Sequence, residues 1–576
     1  WVIDYNRQSL DNVVSDRLFY RIDRMFLAMD WRVVTLKYGK KLEAAFAGPD
    51  GDVLRQWIDD CPNSVYSALV YKGGPGWRAH RKADIGNKPG IMALLAKLCD
   101  AALHQLMTNL AGHDLETVLE AFQAVPDDKP TAFICYTIKG HGLPFAGHKD
   151  NHAGLMNEAQ MAGFKKTMKV PDGAEWDAFA GLDMPRAKLE QFLKSVPFAQ
   201  RYPRRHTAPV IDVPERLAAE IPPRTSTQEG FGRVMNELGR SDTELARRIV
   251  TTSPDVTVST NLGGWVNRRG IYSRIEREDV FKHEGVVSAQ HWNTSRGGQH
   301  IELGIAENNL FILLGALGLS HELFGTRLMP VGTLYDPFIA RGLDAMNYAL
   351  YQGARFMLVA TPSGISLAPE GGAHQSVSTP LIGIGQDGLV SYEPAYVDEL
   401  AAIMAWGFRH MQAEKGGSVY LRLSTRPLDQ PKREMGPALG DDIIAGAYWM
   451  VSPGPDCSIA IAYTGAVAAE AKEAHAALLE DVPGAALLAI TSADRLHDGW
   501  QAAKRARREG DTGTRSQVER LLDQLPRNAA LVSVVDGHPA TLSWIGAVGG
   551  HRAYPLGVER FGQSADILDL YRVHGI

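Results

Sequence analysis

Apolar positions along the chain follow two periods, and their alternation predicts an α/β protein. Helical spacing runs through Ser15 to Met29, Ile91 to Thr108 and Asp114 to Val125, while Trp31 to Leu36 reads as a strand. Thr131 to Thr137 is apolar enough to be a strand buried on both faces. Trp1 to Asn6 reads as another buried parallel strand, which needs neighbours that ordinarily precede it, so the natural chain is expected to begin further upstream. From about 195 to 225 the chain is rich in Pro and Arg (Pro197, Pro203, Pro209, Pro214, Pro222, Pro223), as an extended linker would be.

A second alternation follows. Strands are expected at Asp255 to Ser259, Leu328 to Val331, Ala354 to Ala360 and Ser418 to Arg422, with helices between them. After a boundary at Gly436 to Asp441 comes a third: Cys457 to Tyr463, a helix over Ala466 to Leu479, then Ala485 to Ile490 and Ala530 to Val535. The expected architecture is three doubly wound α/β domains in series, over 1–195, 225–435 and 442–576, with 196–224 as linker.

Composition changes this picture little. With 45% apolar residues, 22% charged and a net charge of −6, the chain has the make-up of an ordinary soluble globular protein and no nucleic-acid surface. Cys61, Cys99, Cys135 and Cys457 have no paired spacing, so neither a metal cluster nor a disulfide framework is expected; buried spectators in a reducing compartment fit better. No apolar run reaches the ~20 residues that span a bilayer and no signal peptide opens the chain, which makes the cytoplasm the simplest address.

The candidate chemistry starts at Glu307. It lies where a short strand (His300 to Glu302) gives way to a helix with apolar residues at 310, 313, 314 and 317, so its carboxylate should be partly desolvated. Such a group is either a helix-capping or ion-paired Glu or a working acid. A second concentration follows the strand 131–137, at a strand end where open α/β sheets seat ligands. Ile138 to Gly154 carries His141, His148 and His152 with Lys139 and Lys149. Lys504 to Arg508 is a dense basic run, either a solvated helix face or a docking patch for an acidic partner.

Taken together these motifs resemble the thiamine-diphosphate enzymes of the transketolase superfamily, and among them most resemble the homodimeric decarboxylating first component of 2-oxo acid dehydrogenases. The resemblance covers nearly the whole chain in the family's order: diphosphate-binding domain (here its C-terminal part), pyrimidine-binding domain and transketolase C-terminal-like domain. Asp4-Tyr5-Asn6-Arg7-Gln8 resembles the end of the metal and diphosphate motif. There the Asn6 side chain and the Gln8 carbonyl would complete a Mg²⁺ shell, whereas the opening Gly-Asp-Gly is absent. Glu307 matches the glutamate that hydrogen-bonds the cofactor's pyrimidine nitrogen, and Tyr335-Asp336-Pro337-Phe338 matches the aromatic pair that receives the ring.

Pro369 to Ser376 is similar both to the Glu-Gly-x-x-His segment of the dehydrogenase subunits and to the His-Gln segment of transketolases, which implies that His374 faces substrate and that Glu370 positions the loop. Lys139 matches the dehydrogenase branch, and His152 resembles a histidine that serves acyl transfer to a lipoyl group; His148 and His152 also echo a histidine pair of transketolases. Where pyruvate enzymes carry an acidic pair, this chain has Thr260-Asn261, so the substrate is pyruvate or a different 2-oxo acid. The resemblance implies an obligate homodimer, thiamine diphosphate, Mg²⁺ and a lipoyl-bearing acyltransferase partner. A transketolase acting on sugar phosphates and a catalytically silent scaffold are the alternatives.

Overall fold

The computed structural model describes residues 1–576 apart from 10, 11, 15–17, 198 and 200–204, and apart from the side chains of 368–370. The expected helix start at Ser15, Pro203 of the linker and the Glu370 side chain therefore lie outside the described residues. The chain forms two compact units, Trp1–Arg201 and Tyr202–Ile576.

The first unit is built on a parallel sheet of β1 (Val2–Tyr5), β2 (Arg32–Leu36) and β3 (Thr131–Tyr136), in the order β1-β3-β2. The central β3 is buried along nearly its whole length, as its apolar run predicts, and β1 lies at an edge of this described sheet. The helical pattern at 91–108 is not one helix but two, Pro89–Lys97 and Asp100–Met107, bent by 118°. Arg78 explains the break: it donates to the Leu95 and Leu98 carbonyls at 2.5 and 2.6 Å and pairs with Asp100 at 2.6 Å. Carbonyls that a continuous helix would use internally are thereby satisfied by a side chain.

The second unit carries two large sheets, besides a two-stranded antiparallel pairing of Arg224–Thr225 with Leu428–Asp429. The larger is all parallel and consists of β4 (Ile249–Ser253), β5 (Ile271–Tyr272), β6 (Thr294–Ser295), β7 (His300–Glu302), β8 (Met329–Leu334), β9 (Met357–Ala360), β10 (Leu389–Tyr392) and β11 (Ser418–Arg422). Its order is β10-β11-β9-β8-β4-β7-β5-β6. The strand expected at 255–259 is a turn instead, and β4 stands just before it. Asp255 and Asn261 have φ of +65° and +59°, which no strand tolerates. The sequence hides β4 because three of its four buried residues carry hydroxyls, Thr251, Thr252 and Ser253 beside Ile249: Thr252 Oγ1 donates to the Ile301 carbonyl at 2.8 Å, and Thr251 Oγ1 lies 2.9 Å from His300 Nδ1.

The smaller sheet comprises β12 (Ala447–Val451), β13 (Ile459–Thr464), β14 (Ala486–Ile490), β15 (Ala530–Val534) and β16 (Arg552–Leu556), ordered β12-β14-β13-β15-β16, with only β12 antiparallel to its neighbour. A helix at Pro437–Ala445 leads into it.

Residues 205–223, read as a linker, have no regular structure, yet they are packed rather than loose. Ile211, Val213 and Leu217 are buried in the core of the second unit, and Gln412 brackets Ile211 with hydrogen bonds of 2.6 and 3.0 Å. Cys135 and Cys457 are buried, whereas Cys61 is half-buried and Cys99 exposed, so burial holds for two of the four cysteines. Lys504 to Arg508 closes the helix Ala493–Arg508, where Arg507 pairs with Glu519 at 2.7 Å. Among the described residues no single helix is long and apolar enough to cross a membrane.

Candidate active site

Glu307 opens the helix Glu307–Gly318, whose buried face is Leu310, Phe311 and Leu314. Gly304 (φ +64°) turns the chain out of β7 toward this helix. Glu307 is 7% exposed. Its partner is Arg341, whose Nη1 donates to Oε1 at 2.6 Å. The same guanidinium lies over the Phe338 ring, 3.9 Å from its centroid. Both come from the 3₁₀ segment Asp336–Gly342, which can approach the helix because Gly342 lacks a side chain; a Cβ there would collide with the Phe311 ring.

Tyr335 and Phe338 are half-buried and parallel, with centroids 5.9 Å apart and an interplanar angle of 14°. His374 meets both rings edge-on, at 5.7 and 5.9 Å. Its Nδ1 is buried without a hydrogen-bond partner. Four of the residues singled out in the sequence, Glu307, Tyr335, Phe338 and His374, thus form one group, bridged by an arginine that sequence reasoning missed.

Beneath this group lies a buried charge cluster. Asp336 is fully buried and receives Arg422 Nε at 3.0 Å together with the hydroxyls of Ser376, Thr379 and Tyr420. Arg422, 2% exposed, also donates to Glu393 at 2.6 Å and to the Asp536 carbonyl at 2.8 Å. Burial pushes the Glu393 carboxyl up to about 7 against the pull of Arg422, and burial also raises Asp536. Upstream of Glu307, burial opposes ionisation of Glu302, but hydrogen bonds from His300, the Thr257 hydroxyl and the Asp255 N–H outweigh it and bring its pKa to about 2. Thr260, at the departure from the acidic pair, is fully buried and donates to the Val256 carbonyl at 2.9 Å.

In the first unit, Asn6 Oδ1 accepts the Gln8 N–H at 3.0 Å. Gln8 Nε2 reaches the carbonyls of Gly147 and His148 at 3.3 and 3.4 Å, tying this turn to the loop after β3. In that loop Lys139 Nζ lies 2.9 Å from Nδ1 of the exposed His152. His113, another residue sequence reasoning missed, accepts the Ile138 N–H at 2.8 Å and stacks on His141 at 3.8 Å. Burial, with His141 beside it, lowers the His113 pKa to about 4.

Each group, taken within its own unit, offers chemistry that a thiamine-type cofactor uses. A half-buried aromatic pair beside a buried carboxylate suits a flat aminopyrimidine. Gln8 Oε1 is buried without a donor, and the Asn6 amide oxygen and the Gln8 carbonyl are oxygens of the kind a hard cation takes. Among the described residues no group of three or more His, Cys, Asp or Glu is placed to hold a metal, so these oxygens alone do not make a full shell.

Residues 220–426, which hold Glu307, Tyr335, Phe338 and His374, match the family model of the pyruvate dehydrogenase E1 component middle domain. Over this segment the chain is similar to the middle domain of pyruvate dehydrogenase E1 components. It is 24% identical over 469 residues to the pyruvate dehydrogenase E1 component of Cupriavidus necator, covering 78% of this chain and 51% of that one. Against the Pseudomonas aeruginosa component it is 24% identical over 561 residues, 91% of this chain and 61% of that one. The chain spans about half to three fifths of the length of these relatives. In fold it is similar to transketolase from Leishmania mexicana, with a TM-score of 0.60 at 17% identity over 100% of this chain and 69% of that one.

Proposed function

We propose that this protein is the decarboxylating component of a 2-oxo acid dehydrogenase, acting on pyruvate or a close relative with thiamine diphosphate and Mg²⁺. The observation that carries the reading is the buried Glu307 carboxylate beside the parallel Tyr335 and Phe338 rings, within the segment that matches the E1 middle domain. Thiamine diphosphate supplies the nucleophilic carbon and electron sink that loss of CO₂ from a 2-oxo acid requires.

The chain's own residues hold and direct it. Phe338 and Tyr335 seat the pyrimidine, and Glu307 hydrogen-bonds its ring nitrogen. Asn6 and Gln8 contribute oxygens to the metal. The orphaned His374 Nδ1 is a ready donor or acceptor for the substrate's carboxylate or carbonyl oxygen. Lys139 and His152 serve the acceptor side: the two electrons left by CO₂ reduce a lipoyl disulfide, the acyl group ends on one sulfur as a thioester, and the other sulfur takes a proton. A homodimer, a lipoyl-bearing acyltransferase partner and a cytoplasmic address complete the proposal.

The test is CO₂ release from a panel of 2-oxo acids by full-length protein with thiamine diphosphate, Mg²⁺ and an artificial electron acceptor. Turnover of pyruvate or a relative is expected. Ketol transfer between sugar phosphates with no CO₂ release would make it a transketolase, and no turnover of either kind would make it a silent scaffold.

A further inference from the structure

The segment that carries His374 is held by the C-terminal sheet. Asp536 follows β15, and its two carboxylate oxygens accept the Ile365 N–H at 2.9 Å and the Ser366 N–H at 3.2 Å. Gly364 (φ +66°) lies so close that a Cβ would collide with that carboxylate. Arg422 Nη2 donates to the Asp536 carbonyl at 2.8 Å and to Ser376 Oγ at 3.3 Å, and the same Oγ accepts the Gly364 N–H at 2.9 Å. The grip continues past His374: Gln375 Nε2 donates to the Gln563 carbonyl, the His538 N–H donates to the Val377 carbonyl at 2.8 Å, and Gly372 packs on the backbone of Gly562.

Apart from short 3₁₀ turns at Ile365–Glu370 and Gly372–His374, this stretch has no regular structure of its own. Ordering such a stretch opposes about 1–2 kcal/mol of backbone entropy per residue, so something outside it must fix its path. Every clamp named above except Ser376 and Arg422 comes from residues 536–563, at the carboxyl ends of β15 and β16. Open α/β sheets ordinarily seat ligands at that edge.

We propose that Asp536, acting with Arg422, is a positioning residue that sets where the His374 imidazole stands, and that holding this loop is a function of the C-terminal sheet. The proposal rests on the reading of His374 as the group that faces substrate. It assigns Asp536 no contact with substrate or cofactor.

The experiment is a double-mutant cycle in the full-length protein. Asp536→Asn keeps the size of the side chain but sets an NH₂ against a backbone N–H. It should speed amide exchange at residues 364–377 and lower kcat/KM for the 2-oxo acid about tenfold, mostly through KM, with thiamine diphosphate affinity unchanged. In a His374→Ala background the same change should cost less than about twofold, because the group it positions is gone. Gly372→Ala leaves every charge in place and should show the same non-additivity, which keeps the test open if Asp536→Asn folds poorly. Losses that multiply with His374→Ala, or unchanged exchange over 364–377, overturn the proposal. If wild-type protein turns over no 2-oxo acid, the functional reading falls separately, and the exchange measurement still decides whether Asp536 holds the loop.

Discussion

Arg341 holds Glu307 at 2.6 Å while its guanidinium stands over Phe338, 3.9 Å from the ring centroid, so one planar cation makes the two contacts that an aminopyrimidine would need. On the proposed reading, a bound aminopyrimidine would compete with the guanidinium for this carboxylate and this ring. The Arg341 side chain is 53% exposed, which limits the ion pair to about 0.2–1 kcal/mol, with about 0.5–1 kcal/mol more from the ring contact. Arg341→Met should therefore tighten thiamine diphosphate binding by about three- to tenfold in a fluorescence titration. Weaker binding in the variant would show instead that Arg341 supports the cofactor.

Stability should depend on Arg422 more than on any surface pair. It is the cation among Asp336, Glu393 and Asp536, and removing one partner of a buried ion cluster strands the others. Arg422→Met should cost about 3–5 kcal/mol in urea unfolding of the protein. A loss under about 1 kcal/mol would mean that the carboxylates take up protons and relax without it.

The close approach of the Arg341 segment to the Glu307 helix depends on one missing methyl. At Gly342 a Cβ would strike the Phe311 ring, whose neighbours in the core leave little room. Gly342→Ala should destabilise by about 1–3 kcal/mol and weaken cofactor binding together, because Phe338 moves with the backbone. Retention of both would show that the helix yields.

Protonation of His113 should weaken the first unit in acid. Its pKa falls from 6.5 to about 4 in the fold, so between those values the unfolded chain binds a proton that the folded chain refuses. The stability it confers is therefore complete above about pH 6.5 and is lost as pH falls toward 4. His113→Gln should flatten the pH dependence of denaturant stability over that window. An unchanged slope would place the acid sensitivity elsewhere.

The sequence made the apolar strands legible, since Thr131–Tyr136 and Ser418–Arg422 lie where their composition puts them. It misled where buried positions are polar. β4 ends in two threonines and a serine, with Thr252 satisfied by its neighbour strand, so the periodicity slid to the turn at 255–259. Likewise the helix over 91–108 is broken by Arg78, a residue distant in the chain that no local pattern reveals. At the candidate site the aromatic and acidic members stand in short motifs that can be read directly. Arg341, Arg422 and Asp536 act through partners 29 to 171 residues away in sequence, and only the folded arrangement shows them.

In the proposed reaction Glu307 is the acid that would engage the pyrimidine of bound thiamine diphosphate. The most direct measurement of that role is the rate of CO₂ release from the best 2-oxo acid by full-length Glu307→Gln compared with wild type, both saturated with thiamine diphosphate and Mg²⁺. A fall of about a hundredfold or more with the fold intact is predicted. Turnover within about twofold of wild type would contradict it.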